Sequence, residues 1–436
     1  MKNRSAKKTA LCAVILALAL FLTACGGQET PAPPEEAAGF KPRLDTQTDC
    51  SLTVAGHYNN FEALEAEFNR FAAYYPHVKM NYTFLDNYNG IIVTALESAE
   101  APDIFFTYPW MSYREGYASI YGGLAENLAD PALGIDLSCI RESLLYKTAE
   151  GSVPTVPVYT TTYGMLVNEE IFEKEKIAIP TTYAELISAC EALQKAGYAS
   201  PILAYNRGNF MLFPLYYPYF CAQLQSNPTA IQALNDMGEG SAEYMRGALE
   251  LAADFMGRGF IDLERCNAME NDYNAVILRF FEGDVPMMFA TGNTVSGTEK
   301  RESQSEAFAA HPFRYSFHPV PSTEKGGYFI NTISMGFAVN KNSKNLDMAN
   351  EFMRFLVSTE ELNRMAQAKR MVTPCVDMSL DGVYAAFGQV DAGHIINFSE
   401  LGLADTPDSQ VRRAGWQVCN GMLTVDEAVA AFGSLE

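Results

Sequence analysis

Nine cysteines, five histidines and 52 acidic side chains give this 436-residue chain the material for metal binding or catalysis, yet their spacing serves neither. Cys12, Cys25, Cys50, Cys139, Cys190, Cys221, Cys266, Cys375 and Cys419 include no Cys-x-x-Cys pair, and His57, His77, His311, His318 and His394 are scattered. A structural zinc site draws on closely spaced ligand pairs, so the sequence supports no metal. It has no Gly-x-Ser-x-Gly, no His-Glu-x-x-His and no P-loop, and with them go the usual signatures of a serine nucleophile, a zinc hydrolase and a phosphate cradle. The pair Glu169-Glu170 fits a solvated helix start better than the two carboxylates of a glycosidase. Tyr74-Tyr75 and Tyr216-Tyr217, which could hold ferric iron, fit aromatic-rich helices. With 23 Tyr and 27 Phe but only two Trp, the side-chain stock favours non-covalent recognition over turnover, and no catalytic residue is assigned.

The elements that must position such residues alternate. Ser51–Gly56 reads as a strand, and Phe61, Leu64, Phe68, Phe71 and Tyr75 recur at helical spacing behind an Asn60 cap. A strand over 76–82, a helix over 90–100 and a strand over 101–106 follow, which predicts an α/β lobe with a mainly parallel sheet. In such sheets ligands bind beyond the carboxyl ends of the strands. The loops after the first and third strands, carrying Tyr58, Asn59, Tyr108 and Trp110, are therefore the first candidate site. Further strands are predicted over 158–168, 201–205, 287–291 and 333–339. Helices are expected over 169–176, 184–196 (capped by Thr181 or Thr182), 241–255, 273–282 and 345–357. Thr424 and Glu427 form a capping box for a terminal helix.

The N-terminus has a different character. Lys2, Arg4, Lys7 and Lys8 precede an unbroken apolar run from Ala10 to Leu22, too short to span a bilayer comfortably but right for a signal-peptide core. The run ends in Leu22-Thr-Ala-Cys25-Gly26, which resembles a bacterial lipobox and implies cleavage before a diacylglyceryl-modified Cys25. Residues 25–49, rich in Pro, Glu and Gly, read as a flexible tether. The formal net charge is −21 and steepens once the cationic leader is removed. A surface that acidic disfavours nucleic acid and anionic lipid as general partners. Seven cysteines remain after Cys12 and Cys25, and the spacing leaves open whether one or two disulfides form or all are small buried hydrophobes.

Five segments in order resemble extracellular solute-binding proteins of ABC importers, the group that includes maltose-binding protein. They are Pro102-Asp-Ile-Phe-Phe106 with Gly116-Tyr-Ala118 and Gly123-Leu-Ala125; Gly164-Met-Leu-Val-Asn168-Glu-Glu-Ile-Phe172; Ile179-Pro-Thr-Thr-Tyr-Ala-Glu-Leu186; Phe281-Glu-Gly283 through Gly292-Asn293; and Gly336-Phe-Ala-Val-Asn-Lys-Asn-Ser-Lys344 followed by Ala349, Phe352, Phe355 and Leu356. The resemblance implies a two-lobed α/β periplasmic-binding-protein fold of type II, with a ligand cleft closed by hinge motion. Lobe one is then 50–156 plus 320–368, and lobe two 157–319 plus 369–436, behind a signal peptide over 1–24. The crossings would lie near Pro154–Tyr159, His318–Pro321 and Lys369–Pro374.

The same resemblance implies the site. Trp110 and Tyr108 fall where the family places ligand contacts, Tyr159 and Thr161 at the hinge strand edging the cleft, and Asn209 and Phe210 at a lobe-two loop carrying an aromatic platform. Asp408 is a rim candidate in a loop, whereas Trp416 and Asp103 read as structural. Asn293 departs from the family, which commonly has Trp there, and so weakens lobe-two stacking. The implied solute is a mono- or oligosaccharide, with a polyamine, sugar phosphate or peptide as the alternative. The implied setting is the extracytoplasmic face of a bacterial membrane, as a lipid-anchored monomer serving an ABC permease, without cofactor. A membrane sensor in place of the permease, or a secreted glycosidase, are the other readings.

Overall fold

In a computed structural model, residues 39–59, 61–205, 213–269, 273–378, 380 and 382–435 are described; the proposed lipidation site Cys25, the Asn60 cap and the loop residues Asn209 and Phe210 lie outside them. Ten strands run in chain order: β1 (Cys50–Gly56), β2 (Val78–Phe84), β3 (Ile104–Thr107), β4 (Val156–Thr161), β5 (Tyr163–Asn168), β6 (Ile202–Leu203), β7 (Met287–Thr291), β8 (Tyr315–His318), β9 (Phe329–Val339) and β10 (Ile395–Asn397). They form two sheets, β10-β9-β3-β1-β2 with β4 also on β9, and β6-β7-β5-β8. The fold is mixed α/β in two lobes.

The expected parallel pairing holds toward both ends of the first sheet, β10 with β9 and β1 with β2 and β3. It fails in the middle, where β9 runs antiparallel to both β3 and β4. The second sheet is mostly antiparallel, since β5 opposes both β7 and β8. The run 158–168 divides into β4 and β5 at Thr162, and the predicted 333–339 strand begins four residues earlier, at Phe329. Two of the predicted caps are present: Thr182 and Thr424 each accept from the backbone N–H three residues on, while Glu185 and Glu427 bond back.

Each sheet has its own core. One holds Leu52, Phe71, Phe105, Phe337 and Phe352; the other holds Leu166, Phe220, Leu249, Met288 and Phe317. The change of core dates the crossings. Tyr159 belongs to the first and Tyr163 to the second, so β4 hands over at 160–162. Val320, Tyr328, Phe329 and Ile330 still pack in the second core, and only from Met335 is the chain in the first. The middle crossing therefore lies within β9, not at His318–Pro321, where β8 is still paired with β5. Asp103 takes the structural role expected of it, accepting from Thr53 N at 2.8 Å and from the Ser343 hydroxyl, which ties β3 to β1 and to the chain after β9.

The stretch read as a tether is not free to its end. Phe40 packs against Phe71, Tyr74 and Phe355, beneath the Arg354 guanidinium at 4.4 Å. Backbone N–H groups of Arg43 and Leu44 donate to the Tyr75 hydroxyl, both at 3.2 Å, and Arg43 N also donates to Glu351 at 2.9 Å. Burial of one aromatic and pairing of two backbone donors dock residues 40–44 onto lobe one.

A charged network joins helix Glu62–Ala72 to helix Thr359–Ala368. Arg70 donates to both oxygens of the fully buried Glu361, at 2.9 and 2.8 Å. Glu67, also fully buried, lies against Glu361 without receiving a hydrogen bond from any N–H donor. Burial first, then the hydrogen bond and charge of Glu361, push the Glu67 carboxyl far above its ordinary value, while Arg70 holds Glu361 ionised. Glu67 is the protonated member of the pair. A carboxyl raised by folding contributes most below its unfolded value, and that stability is lost as pH climbs toward the folded value. Glu67→Gln keeps the donor and removes the proton uptake. The variant is expected to melt higher than the parent at pH 8, by on the order of 1 kcal/mol or more, and to match it near pH 4.5. Parallel melting curves at both pH values check the protonation of Glu67.

Candidate functional site

The first wall is built where β1 and β3 end. Gly56 closes β1 beneath the Phe106 ring; a Cβ there would lie 2.4 Å from ring carbons, so the close approach requires glycine. The chain then presents His57, Tyr58 and Asn59. Tyr58 N donates to the Tyr82 hydroxyl at 2.9 Å, and its ring meets Phe61 and Phe106 edge-on at 5.1 and 5.5 Å. Lys369 places its ammonium 5.1 Å over that ring. β3 delivers Tyr108, hydrogen-bonded to His57 Nδ1, and Pro109 then starts a short 3₁₀ turn that lays Trp110 parallel to Tyr108 at 5.6 Å. Tyr117 abuts the indole at 5.2 Å and the Arg114 guanidinium lies 4.7 Å over it. Four of the sequence candidates thus stand together: Tyr58, Asn59, Tyr108 and Trp110.

The rings of this wall are themselves uncharged, with the cations Lys369 and Arg114 over Tyr58 and Trp110. Burial pushes the Tyr58 phenol up to about 12 and Tyr108 higher still, and pushes the His57 imidazole down. Phenols and imidazole are uncharged at neutral pH, and each can donate and accept hydrogen bonds without a change of protonation.

The other candidates separate. Tyr159 is fully buried in the lobe-one core, its ring 6.2 Å from Phe61. The register shift of β4 against β9 around Tyr159 breaks simple alternation and turns it inward, so it does not edge the cleft. Thr161 is 6% exposed and wedged against Gly292, where a Cβ would sit 2.5 Å from its hydroxyl oxygen. Asn293, exposed in the turn after β7, accepts from the Ser334 hydroxyl of β9 at 2.8 Å, bringing lobe two onto the crossing strand. Asp408 is not in a rim loop. It lies in the first turn of helix Asp405–Cys419, 6% exposed, where it pairs with Arg412 Nε at 2.8 Å and accepts from the Tyr217 hydroxyl.

Sequence reading missed Arg412, His57 and Lys369. Arg412 stacks over Phe213 at 4.6 Å and over Tyr217 at 4.9 Å, and Tyr163 meets Phe213 edge-on at 4.6 Å. The i, i+4 spacing of Asp408 and Arg412 was a signal that the helix face carries an ion pair.

Between the lobes lies a cavity of about 410 Å³. Tyr108, Tyr121 and Tyr146 line it from lobe one, Thr332 and Ile333 of β9 from the crossing, and Phe398 from lobe two. At its side the Ser399 hydroxyl donates to the Ser143 carbonyl, a direct contact between lobes. A larger open groove of about 1210 Å³ runs along β8 and the 3₁₀ stretch Gly382–Gln389. None of the sequence candidates lines it, and two of its cations are paired internally, Arg370 with Glu302 at 2.7 Å and Arg314 with Glu169 at 3.4 Å. The smaller cavity, which Tyr108 of the aromatic wall lines, is the better candidate. Among the described residues no group of three or more His, Cys, Asp or Glu could hold a metal ion, and no helix is long and apolar enough to cross a membrane.

Two α/β lobes joined by crossing strands, with an aromatic wall at the strand ends and a cavity between, define a solute-binding protein fold. The chain belongs to the bacterial extracellular solute-binding protein family, whose model matches residues 55–362. It is 20% identical over 314 residues to the melibiose/raffinose/stachyose-binding protein MelE of Bacillus subtilis, covering 71% of this chain and 69% of that one. Among solved structures it resembles RafE in complex with raffinose, with TM-score 0.66 and 16% identity over 88% of this chain and 99% of that chain. It also resembles a Bacillus licheniformis sugar transporter protein in complex with stachyose, with TM-score 0.58 and 15% identity over 89% of this chain and all of that one.

The Asp408–Arg412 geometry sets an outcome for mutation. Asp408→Ala leaves a largely buried guanidinium without its carboxylate, and is expected to destabilise lobe two by about 2–4 kcal/mol, partial exposure keeping the loss below that of a fully buried pair. Urea denaturation measures the loss; an unchanged midpoint would return Asp408 to the rim.

Proposed function

We propose that this chain captures an oligosaccharide outside the cell by closing its two lobes over it, and hands it to an ABC permease. The observation that carries the reading is the aromatic wall of Tyr58, Tyr108 and Trp110 at the strand ends, of which Tyr108 lines an interlobe cavity. A sugar ring offers apolar C–H faces to such rings and hydroxyls to uncharged phenols, amides and imidazole, so recognition needs neither metal nor nucleophile. The sugars in the names of the relatives, melibiose, raffinose and stachyose, support the substrate class.

In this reading Tyr108 and Trp110 stack on one residue of the sugar, while Asn59, His57 and Asn293 hydrogen-bond its rim. Asn209 and Phe210 supply a second platform from lobe two. Thr161 and Tyr159 act from beneath, by fixing the hinge strand. Lobe one comprises residues 50–159 and 335–371, and lobe two residues 163–330 and 377–436. The lipobox supports cleavage before Cys25 and a lipid anchor on the outer face of the cell membrane, with the monomeric body tethered above it. Closure brings both walls onto one solute, and the binding free energy realised only when closed sets the fraction of closed protein that a permease meets.

Thermal-shift measurements with raffinose, stachyose, maltose, xylo- and chito-oligosaccharides, spermidine and a dipeptide test the reading. A shift with at least one oligosaccharide and saturable binding without hydrolysis are expected. Shifts with spermidine or the dipeptide alone would overturn the sugar assignment. Trp110→Ala is expected to weaken binding of the responding sugar by at least ~1 kcal/mol, about fivefold in Kd, and calorimetric titration with unchanged affinity would remove the indole from the site.

A further inference from the structure

Two of the cysteines meet at the third crossing. Ile140 and Cys375 are opposed in an antiparallel bridge. Its flanking hydrogen bonds are Val376 N to the Cys139 carbonyl at 2.8 Å and Arg141 N to the Pro374 carbonyl at 3.1 Å. This narrow pairing holds the two backbones at the spacing a disulfide requires. Cys139 departs from the strand direction because it ends a 3₁₀ turn, Leu137–Cys139. Its thiol donates to the Asp136 carbonyl at 3.4 Å, and Cys139 and Cys375 are each the largest influence on the other's ionisation, which places the two thiols close together. None of the other described cysteines, Cys50, Cys190, Cys221, Cys266 and Cys419, has a second thiol among its interacting groups.

We propose that Cys139 and Cys375 are a disulfide-forming pair that staples the third crossing to lobe one. The proposal goes beyond ligand capture and rests on that reading only for the oxidising compartment, where such bonds persist. The chemistry is distributed between the two positions. Cys139 is partly exposed and Cys375 fully buried, so an incoming oxidant of the disulfide class meets Cys139 first. The Cys139 sulfur, as thiolate, attacks one sulfur of that disulfide; its S–S bond breaks, and the leaving thiolate takes up the proton that Cys139 has lost. Cys375 then attacks Cys139 Sγ in the mixed disulfide, displacing the second thiolate, which takes up the Cys375 proton. Two protein thiols are oxidised and one external disulfide is reduced to two thiols.

The surroundings suit these roles. The Thr373 hydroxyl and the Arg141 guanidinium favour the Cys375 thiolate against its burial, and both remain in place once Cys139 is in the mixed disulfide. Arg141 is itself fixed by donating to the Thr373 carbonyl at 2.6 Å and the Pro374 carbonyl at 3.3 Å. The resolving sulfur is therefore the one held nearer to ionisation, at the position solvent does not reach.

The experiment uses the full chain exported into an oxidising compartment, alkylated on harvest and digested without reduction. A linked peptide joining Cys139 to Cys375 is expected, together with two fewer alkylated thiols than in a reduced sample. Cys139→Ser and Cys375→Ser should each abolish the linked peptide without lowering the affinity for the sugar that the parent binds. Complete alkylation of both cysteines in the exported parent, and again after incubation of the folded protein with oxidised glutathione, would overturn the pairing. Should a serine variant fail to fold, the parent's linked peptide still decides the matter. Absence of sugar binding with the linked peptide present would fault the functional reading and leave the staple intact.

Discussion

One strand carries both lobes. The first residues of β9, Phe329 and Ile330, are part of the lobe-two core, and its last, Phe337 to Val339, are central to the core of lobe one. Along its length it pairs with β10, β4 and β3 in turn. An extended strand rises about 3.3 Å per residue, so eleven residues reach across the whole interlobe gap without a turn. Everything at the site is placed relative to it. β3 sets Tyr108 from one side, Asn293 leans on Ser334 from the other, and Thr332 and Ile333 line the cavity between.

That dependence explains what sequence could and could not show. Element positions were legible because they are local: the helical spacing of Phe61 to Tyr75, the boxes at Thr182 and Thr424, and the strand ending at Gly56. The loop candidates Tyr58, Asn59, Tyr108 and Trp110 were legible too, since a strand-end rule needs only the strands. The length of β9 was not, because its handover from one core to another changes which face is buried midway. Ser334 is accordingly part of the sheet yet half-exposed. Tyr159 and Asp408 were misplaced for a related reason. A register shift turned the first inward, and the second is drawn onto a helix face by partners distant in sequence, chiefly Tyr217. The docking of Phe40 was invisible because a composition rich in Pro and Glu conceals a single aromatic anchor.

The net charge of −21 has little expression at the aromatic wall. Most acids that enter the interior are paired or protonated: Glu361 with Arg70, Glu351 with Arg354 at 2.7 Å, Asp408 with Arg412, and Glu67 against Glu361. Asp103 instead accepts from neutral donors. The wall around Tyr58 and Tyr108 has instead a cation, Lys369, whose burial lowers its affinity for the proton. The surplus acid is left to the solvated surface, where it keeps the body soluble and repels anionic lipid.

The third crossing constrains how the lobes can move. Arg70 and Glu361 fix helix Thr359–Ala368 to lobe one, and directly after it the Arg370 side chain donates to Thr298, Glu302 and Tyr315 of lobe two at 2.9, 2.7 and 2.7 Å. Five residues later, Cys375 is back against lobe one through the bridge to Ile140, while Val372 between them pairs with Thr160 of the first crossing. A segment hydrogen-bonded to both bodies tolerates their rotation only if it lies close to the axis, where displacements are smallest. In the proposed closure, Thr160 and Val372 would lie near the axis, and the motion would be a rotation about paired backbone rather than the bending of a loose linker.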